Sequence, residues 1–269
     1  MEGNLLLAFS LTLVAGLATG IGSLLAFFTS TTNTKFLSFS LGFSAGVMIY
    51  VSMVEIFPEA KNTLTQAQGE VRGIWLTVIA FFTGMILIAL IDRFIPEQGN
   101  PHDVKKVEDM NVSPEDVQNQ ELLKMGTFTA LAIAIHNFPE GIATFTATLQ
   151  DPALGIAIAI AIAIHNIPEG IAISVPIYYA TGSKKKAFKL SFLSGLAEPA
   201  GAVLAYFLLM PFLTDTVFGM VFSGVAGIMM FISLDELLPA AKRYDEAHSS
   251  IYGLMAGMMV MALSLLLML

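Results

Sequence analysis

A chain of 269 residues that is 55% hydrophobic and only 13% charged lies outside the composition of soluble globular proteins and inside that of polytopic membrane proteins. No nucleic-acid partner is expected of so apolar a chain with a formal net charge of −8. The absence of cysteine excludes disulfides, thiolate zinc sites and thiol redox chemistry, so any metal must be held by nitrogen and oxygen.

Apolar stretches long enough to cross a bilayer lie at about 4–28, 36–58, 72–95, 122–148, 154–180, 186–211, 215–241 and 249–268. Ahead of the first, Met1-Glu2-Gly3-Asn4 lacks the basic flank of a signal peptide, and no small-residue cleavage site follows; the stretch reads as a retained helix. In the second, Ser44, Met48, Ser52, Glu55 and Glu59 recur at helical spacing. After the third comes the one long polar segment, about 96–120, which predicts a flexible inside loop; His102 within it reads as a solvated histidine. The fourth and fifth stretches each carry one copy of a polar motif. The sixth holds Ser191, Ser194 and Glu198, and the seventh holds Asp235 and Glu236. The fifteen methionines form no cluster beyond adjacent pairs and read as packing residues. The expected fold is all-α: one integral membrane domain, 1–269, with eight transmembrane helices.

Orientation follows from the basic residues. With the N-terminus outside, the inside segments hold Lys35, Arg93, Lys105, Lys106, Lys124, Lys184, Lys185, Lys186, Lys189, Lys242 and Arg243, against Lys61 and Arg72 outside. The positive-inside rule therefore predicts both termini on the outer face of a cell membrane.

Two repeats run through the sequence. Ala-Ile-Ala-Ile-His-Asn-Phe-Pro-Glu-Gly-Ile-Ala at 132–143 returns at 161–172 with Phe138 replaced by Ile167. At longer range, Leu11–Phe28 aligns with Leu190–Phe207, which pairs Gly16 with Gly195, Gly22 with Gly201 and Thr19 with Glu198. Gly46–Ala60 aligns with Gly227–Ala241, pairing Ser52 with Ser233, Glu55 with Glu236 and Pro58 with Pro239. Five crossings separate the units, so they insert in opposite senses. This predicts an inverted repeat, helices one to three against six to eight, around a central pair formed by helices four and five. Glycines at helix contacts explain part of the likeness. A Glu three residues before a Pro in both copies is left over.

The doubled motif carries the chemistry. The i, i+4 spacing sets His136 beside Glu140 with Asn137 at the edge of that face, and His165, Asn166 and Glu169 repeat the arrangement. Ionisable groups in hydrocarbon are expensive to insert and read by default as a functional site. A shared cation removes the penalty. His136, Glu140, His165 and Glu169 would suit one metal position; Asn137, Asn166 and Glu198 offer oxygens to a second that shares the two glutamates. Pro139 and Pro168 free the carbonyls of Ile135 and Ile164. Imidazole suits zinc, iron and related ions, and carboxylate and amide oxygens extend acceptance toward manganese, so broad selectivity is expected. Near the two faces, Glu55 and Glu59 outside and Asp235 and Glu236 inside read equally as cation relays or as ordinary helix-end carboxylates.

The segments His136-Asn137-Phe138-Pro139-Glu140-Gly141, His165-Asn166-Ile167-Pro168-Glu169-Gly170 and Gly195-Leu196-Ala197-Glu198-Pro199 resemble those of the ZIP (Zrt-, Irt-like protein) family of metal-ion transporters, most closely its bacterial zinc-uptake branch, across the whole eight-helix layout. The resemblance implies uptake of Zn2+, with Fe2+, Mn2+, Co2+ or Cd2+ as further substrates, into the cytoplasm, in a homodimer and without a catalytic cofactor. It implies a first metal position of His136, Glu140, His165 and Glu169, and a second of Asn137, Glu140, Asn166, Glu169 and Glu198. Many members carry a His-rich loop between helices three and four. Here that loop has only His102, which argues against metal sensing by it. The competing class, an intramembrane metal-dependent hydrolase, ordinarily needs His-Glu-x-x-His, and this chain has His-Asn-x-Pro-Glu.

Overall fold

The computed structural model describes residues 2–28, 34–93, 120–212, 214–243 and 248–266, apart from some side chains within the helices. Its described residues form eight helical rods and no strand. They are α1 (Glu2–Phe28), α2 (34–68), α3 (Glu70–Arg93), α4 (Gln120–Gln150), α5 (Pro152–Thr181), α6 (184–212), α7 (215–243) and α8 (Ser249–Leu266). Seven are long and apolar enough to cross a membrane; the eighth, α4, has its first side chains outside the described residues. The loop expected at 96–120 lies outside the described residues but for Gln120, and His102 with it.

The ends of the rods follow from local chemistry. Asp151 caps α5 by accepting from Ala153 N (2.9 Å), ahead of Pro152 at the first helical position. Gly182 ends α5 at φ 64°, and Ser183 caps α6 by accepting from Lys186 N (3.2 Å). Thr214 caps α7 in the same manner.

Three rods are interrupted by a π-helical turn: Val51–Ile56 in α2, Ala205–Leu209 in α6 and Ser233–Leu237 in α7. In each, the residue after the turn donates five residues back: Phe57 to Ser52 O, Met210 to Ala205 O and Leu238 to Ser233 O. That residue is followed in each case by a proline, Pro58, Pro211 or Pro239. A proline ring collides with the carbonyl four residues earlier and offers no N–H, and widening the turn by one residue relieves the collision.

The packing sorts the rods into two groups. α1 lies along α5 and also touches α6, while α4 packs on α5 and α6; α2 lies along α8, and α3 packs on α7 and on the second half of α2. The groups meet chiefly where α2 crosses α5 and where α4 crosses α7. Side chains are distributed inside-out relative to a soluble bundle. Leu6, Phe82, Ile86, Phe207 and Leu263 point outward, while Thr12, Ser23, Ser44, Thr77, Ser174 and Ser223 are buried. An apolar exterior suits hydrocarbon as the solvent. Buried hydroxyls satisfied by backbone carbonyls, as Ser38 by Ala241 O (2.9 Å) and Ser223 by Thr77 O (2.8 Å), tie the rods together.

Candidate metal centre

The two copies of the motif face one another in the four-rod group. His136, Asn137 and Glu140 come from α4, Asn166 and Glu169 from α5, and Glu198 from α6; each is at most 5% exposed. The side chain of His165 lies outside the described residues.

The amide of Asn166 links three rods, donating to Ala15 O of α1 (2.9 Å) and to Glu198 Oε1. The Asn137 amide has two settings. In one, Nδ2 donates to Ser194 O (3.3 Å); in the other it donates to Ile133 O and to Glu169 Oε2, both at 3.2 Å. The second is preferred, because it sets a donor rather than an acceptor against a carboxylate. The motifs are thereby cross-linked: the asparagine of the first holds the glutamate of the second, and the asparagine of the second holds Glu198.

Glu198 lies within electrostatic reach of Glu140 and Glu169, and His136 within reach of the same two. Glu198 Oε2 and Asn166 Oδ1 are buried without a hydrogen-bond partner among the described residues. Several carboxylates brought together, with acceptor oxygens left over, are the kind of set that a cation can complete. That set is not drawn tight: among the described residues no three His, Asp or Glu side chains already surround a single point. Two of the expected donors are amides, and a third, His165, has its side chain outside the described residues.

Two glycines let the rods come this close. A methyl group on Gly141 would strike Glu198 O, and one on Gly170 would strike Thr19 O. Pro199 removes the donor that Gly195 O would otherwise meet, the helix breaks at Leu196, and the carbonyl of Gly195 abuts Gly16 of α1. Glu198 is thus presented from the first turn of a new helical segment.

One member of the cluster lies beyond the expected set. Glu236, 7% exposed and inside the π-helical turn of α7, puts Oε1 2.8 Å from His136 Nε2. Its neighbour Asp235 is exposed, so the two carboxylates that sequence treats alike are parted. The signal for Glu236 was its place opposite Glu55 in the long-range alignment, three residues before a proline in both copies. Apart from this cluster, Glu55 and Glu59 join Asn62, Gln150 and Asp151 around a cavity of about 660 Å³. Ser52 lies deeper in α2, fully buried, with its hydroxyl unpartnered among the described residues. Ser191 and Ser23 both donate to Gly170 O, at 3.3 and 3.2 Å, from α6 and α1.

An all-helical bundle with an apolar exterior and a buried cluster of imidazole, carboxylate and amide groups has the make-up of a polytopic membrane protein. The family model described as ZIP Zinc transporter matches residues 95–265, and the chain belongs to that family. It is 70% identical to the zinc transporter ZupT of Lysinibacillus sphaericus over 99% of both chains. It is also 70% identical to that of Oceanobacillus iheyensis over 98% of both. A third relative, the zinc transporter ZupT of Streptococcus mutans, is 62% identical over 99% of both chains.

Proposed function

We propose that this protein carries zinc across the cell membrane into the cytoplasm as a secondary transporter, and that the ion binds between α4, α5 and α6. The observation that carries the reading is the pair of His-Asn-x-Pro-Glu motifs on adjacent rods, with Glu140 and Glu169 turned toward Glu198 in a buried site. Membership of a transporter family and close identity to proteins named zinc transporters support it, and count against the hydrolase reading.

The ligand assignment belongs to the same proposal. His136, Glu140, His165 and Glu169 hold the first ion; Asn137, Glu140, Asn166, Glu169 and Glu198 hold the second, with the two glutamates bridging. The contact between Asn166 and Glu198, and that between Asn137 and Glu169, are the ones such a bridged pair needs. Oxygen-rich donors widen the substrate range to Fe2+, Mn2+, Co2+ and Cd2+.

The inverted repeat is likewise proposed, and matched contacts support it. Gly22 approaches Ile167 O and its counterpart Gly201 approaches Phe138 O; Gly141 meets Glu198 O where Gly170 meets Thr19 O; Gly84 meets Gly224 O where Gly257 meets Phe43 O. The π-helical turns of α2 and α7 fall in the aligned segments too. With both termini outside, the cavity bounded by Glu55, Glu59 and Asp151 opens on the outer face and gathers cations. Release requires the ligand set to change between outward and inward states, since many strong ligands held fixed would trap the ion. Glu236, on the other rod group, is placed to take part by exchanging its hold on His136. The single domain 1–269 and the homodimer complete the reading.

The experiment is metal flux into proteoliposomes with competing ions. Zinc accumulation competed by manganese and iron supports the proposal. No zinc-dependent flux by well-folded protein would overturn it.

A further inference from the structure

We propose that the four lysines at the start of α6 form a docking surface for anionic phospholipid headgroups of the inner leaflet. The assignment to that leaflet rests on the orientation proposed above; the surface itself does not depend on which ion is carried.

Lys184, Lys185, Lys186 and Lys189 are all exposed, and none is in an ion pair among the described residues. The first turn contains no acidic residue. Lys185 and Lys189 are like charges one turn apart, which repel. They also stand at the helix end whose backbone dipole is already positive. Four positive charges with no acidic partner among the described residues favour a counter-charge supplied from outside the helix bundle.

The depth of the patch says what supplies that charge. α5 ends at Thr181, α6 begins at Lys184 and α1 ends at Phe28, so three helix ends come together. The ammonium of Lys184 stands 5.7 Å from the ring centroid of Phe27, and that ring packs edge-on against Tyr178 at 6.1 Å. Aromatic rings at span ends mark the boundary between hydrocarbon and headgroups. The lysines therefore stand at the level of lipid phosphates, where clusters of about four to eight basic residues attract anionic lipid. The backbone of this helix start is already capped by Ser183, so the attraction is borne by the ammonium groups. The same rod carries Ser191, Ser194 and Glu198, which links the headgroup plane to the buried site.

The test uses the full chain in phosphatidylcholine nanodiscs containing a trace of spin-labelled phosphatidylglycerol or spin-labelled phosphatidylcholine. The motionally restricted fraction of the anionic label is expected to exceed that of the neutral label severalfold. Joint replacement of Lys184, Lys185, Lys186 and Lys189 by glutamine should bring the two fractions together, and joint replacement by arginine should keep them apart. Selectivity unchanged in the glutamine variant overturns the proposal. So does its loss on adding inorganic phosphate but not chloride at equal ionic strength, which would make the ligand a soluble anion. Should the fourfold variant not fold, Lys185→Gln with Lys189→Gln decides, with about half the effect expected and no effect overturning the proposal. Zinc flux is measured separately, so failure of the transport reading leaves the lipid result intact, and the reverse.

Discussion

Glu140 and Glu169 each follow a histidine by one helical turn, and both lie near His136 and Glu198 in a region closed to water. If each carboxylate bridges two ions, Glu140→Ala or Glu169→Ala should reduce zinc uptake by more than about 100-fold, beyond the ~10–100-fold typical of a residue that only orients a ligand. Uptake by radioactive zinc at matched membrane abundance checks this. Glu236→Gln belongs to the lesser class: losing the charge beside His136 Nε2 is expected to weaken zinc binding about 10-fold or more while leaving the protein folded. Equilibrium binding to purified protein, set beside its melting curve, reads both quantities. Glu198 differs again, because in the proposed assignment it serves only the second position, whose donors are all oxygen. Glu198→Gln should keep zinc uptake and lower manganese uptake relative to it, since manganese relies more on carboxylate. A competition assay that gives the same metal profile and the same rate as the unaltered protein would remove Glu198 from the site. Sequence singles out Glu140 and Glu169 by the repeated His-Asn-x-Pro-Glu motif and Glu198 as a lone carboxylate in an apolar run, and the structure buries all three. Glu236 was not assigned to the site because it neighbours an equivalent Asp235, and only the widened turn decides which of the two faces inward.

Among the helices, close approach and proline control the geometry. Gly170→Val would drive a side chain into Thr19 O and Gly141→Val into Glu198 O, so each should destabilise by about 1–3 kcal/mol or more through overpacking. Gly224→Ala is the matched control. The nearest atom to its added methyl is Ala80 O at 3.6 Å, an ordinary contact, and its melting temperature should barely move. Thermal unfolding of the three detergent-purified variants ranks them. Pro239→Ala restores a backbone donor and permits a regular helix through 233–237, so it should turn Glu236 away from His136 and lower zinc affinity without lowering the melting temperature. The rods themselves were readable from apolar run length to within a few residues, except that α2 runs to Gln68 where the apolar run ends near 58. Its last ten residues are polar on their exposed side and are held by α3 and α7, which apolar run length does not register. The π-helical turns escaped a reading based on a 3.6-residue period. Each lies just ahead of a proline, but Pro139 and Pro168 stand in regular α-helix, so a proline in the sequence does not by itself announce one.

For the molecule as a whole, the lack of native cysteine makes topology directly measurable. Single cysteines placed at Glu2 and at Leu269 should react with a membrane-impermeant maleimide in intact cells, whereas one at Lys185 should react only after permeabilisation. Labelling at Lys185 in intact cells would invert the proposed orientation and move the lysine surface to the outer leaflet. Composition, run length and the repeated His-Asn-x-Pro-Glu motif were enough to establish an eight-helix membrane bundle with polar donors on its fourth, fifth and sixth rods. Those properties are local, because a bilayer demands long apolar helices and penalises each buried charge where it stands. Which donors meet was decided by the tertiary structure alone. Asn166 reaches Glu198, Asn137 reaches Glu169 and Glu236 reaches His136 because glycine contacts and proline-widened turns set the distance and phase between rods far apart in sequence.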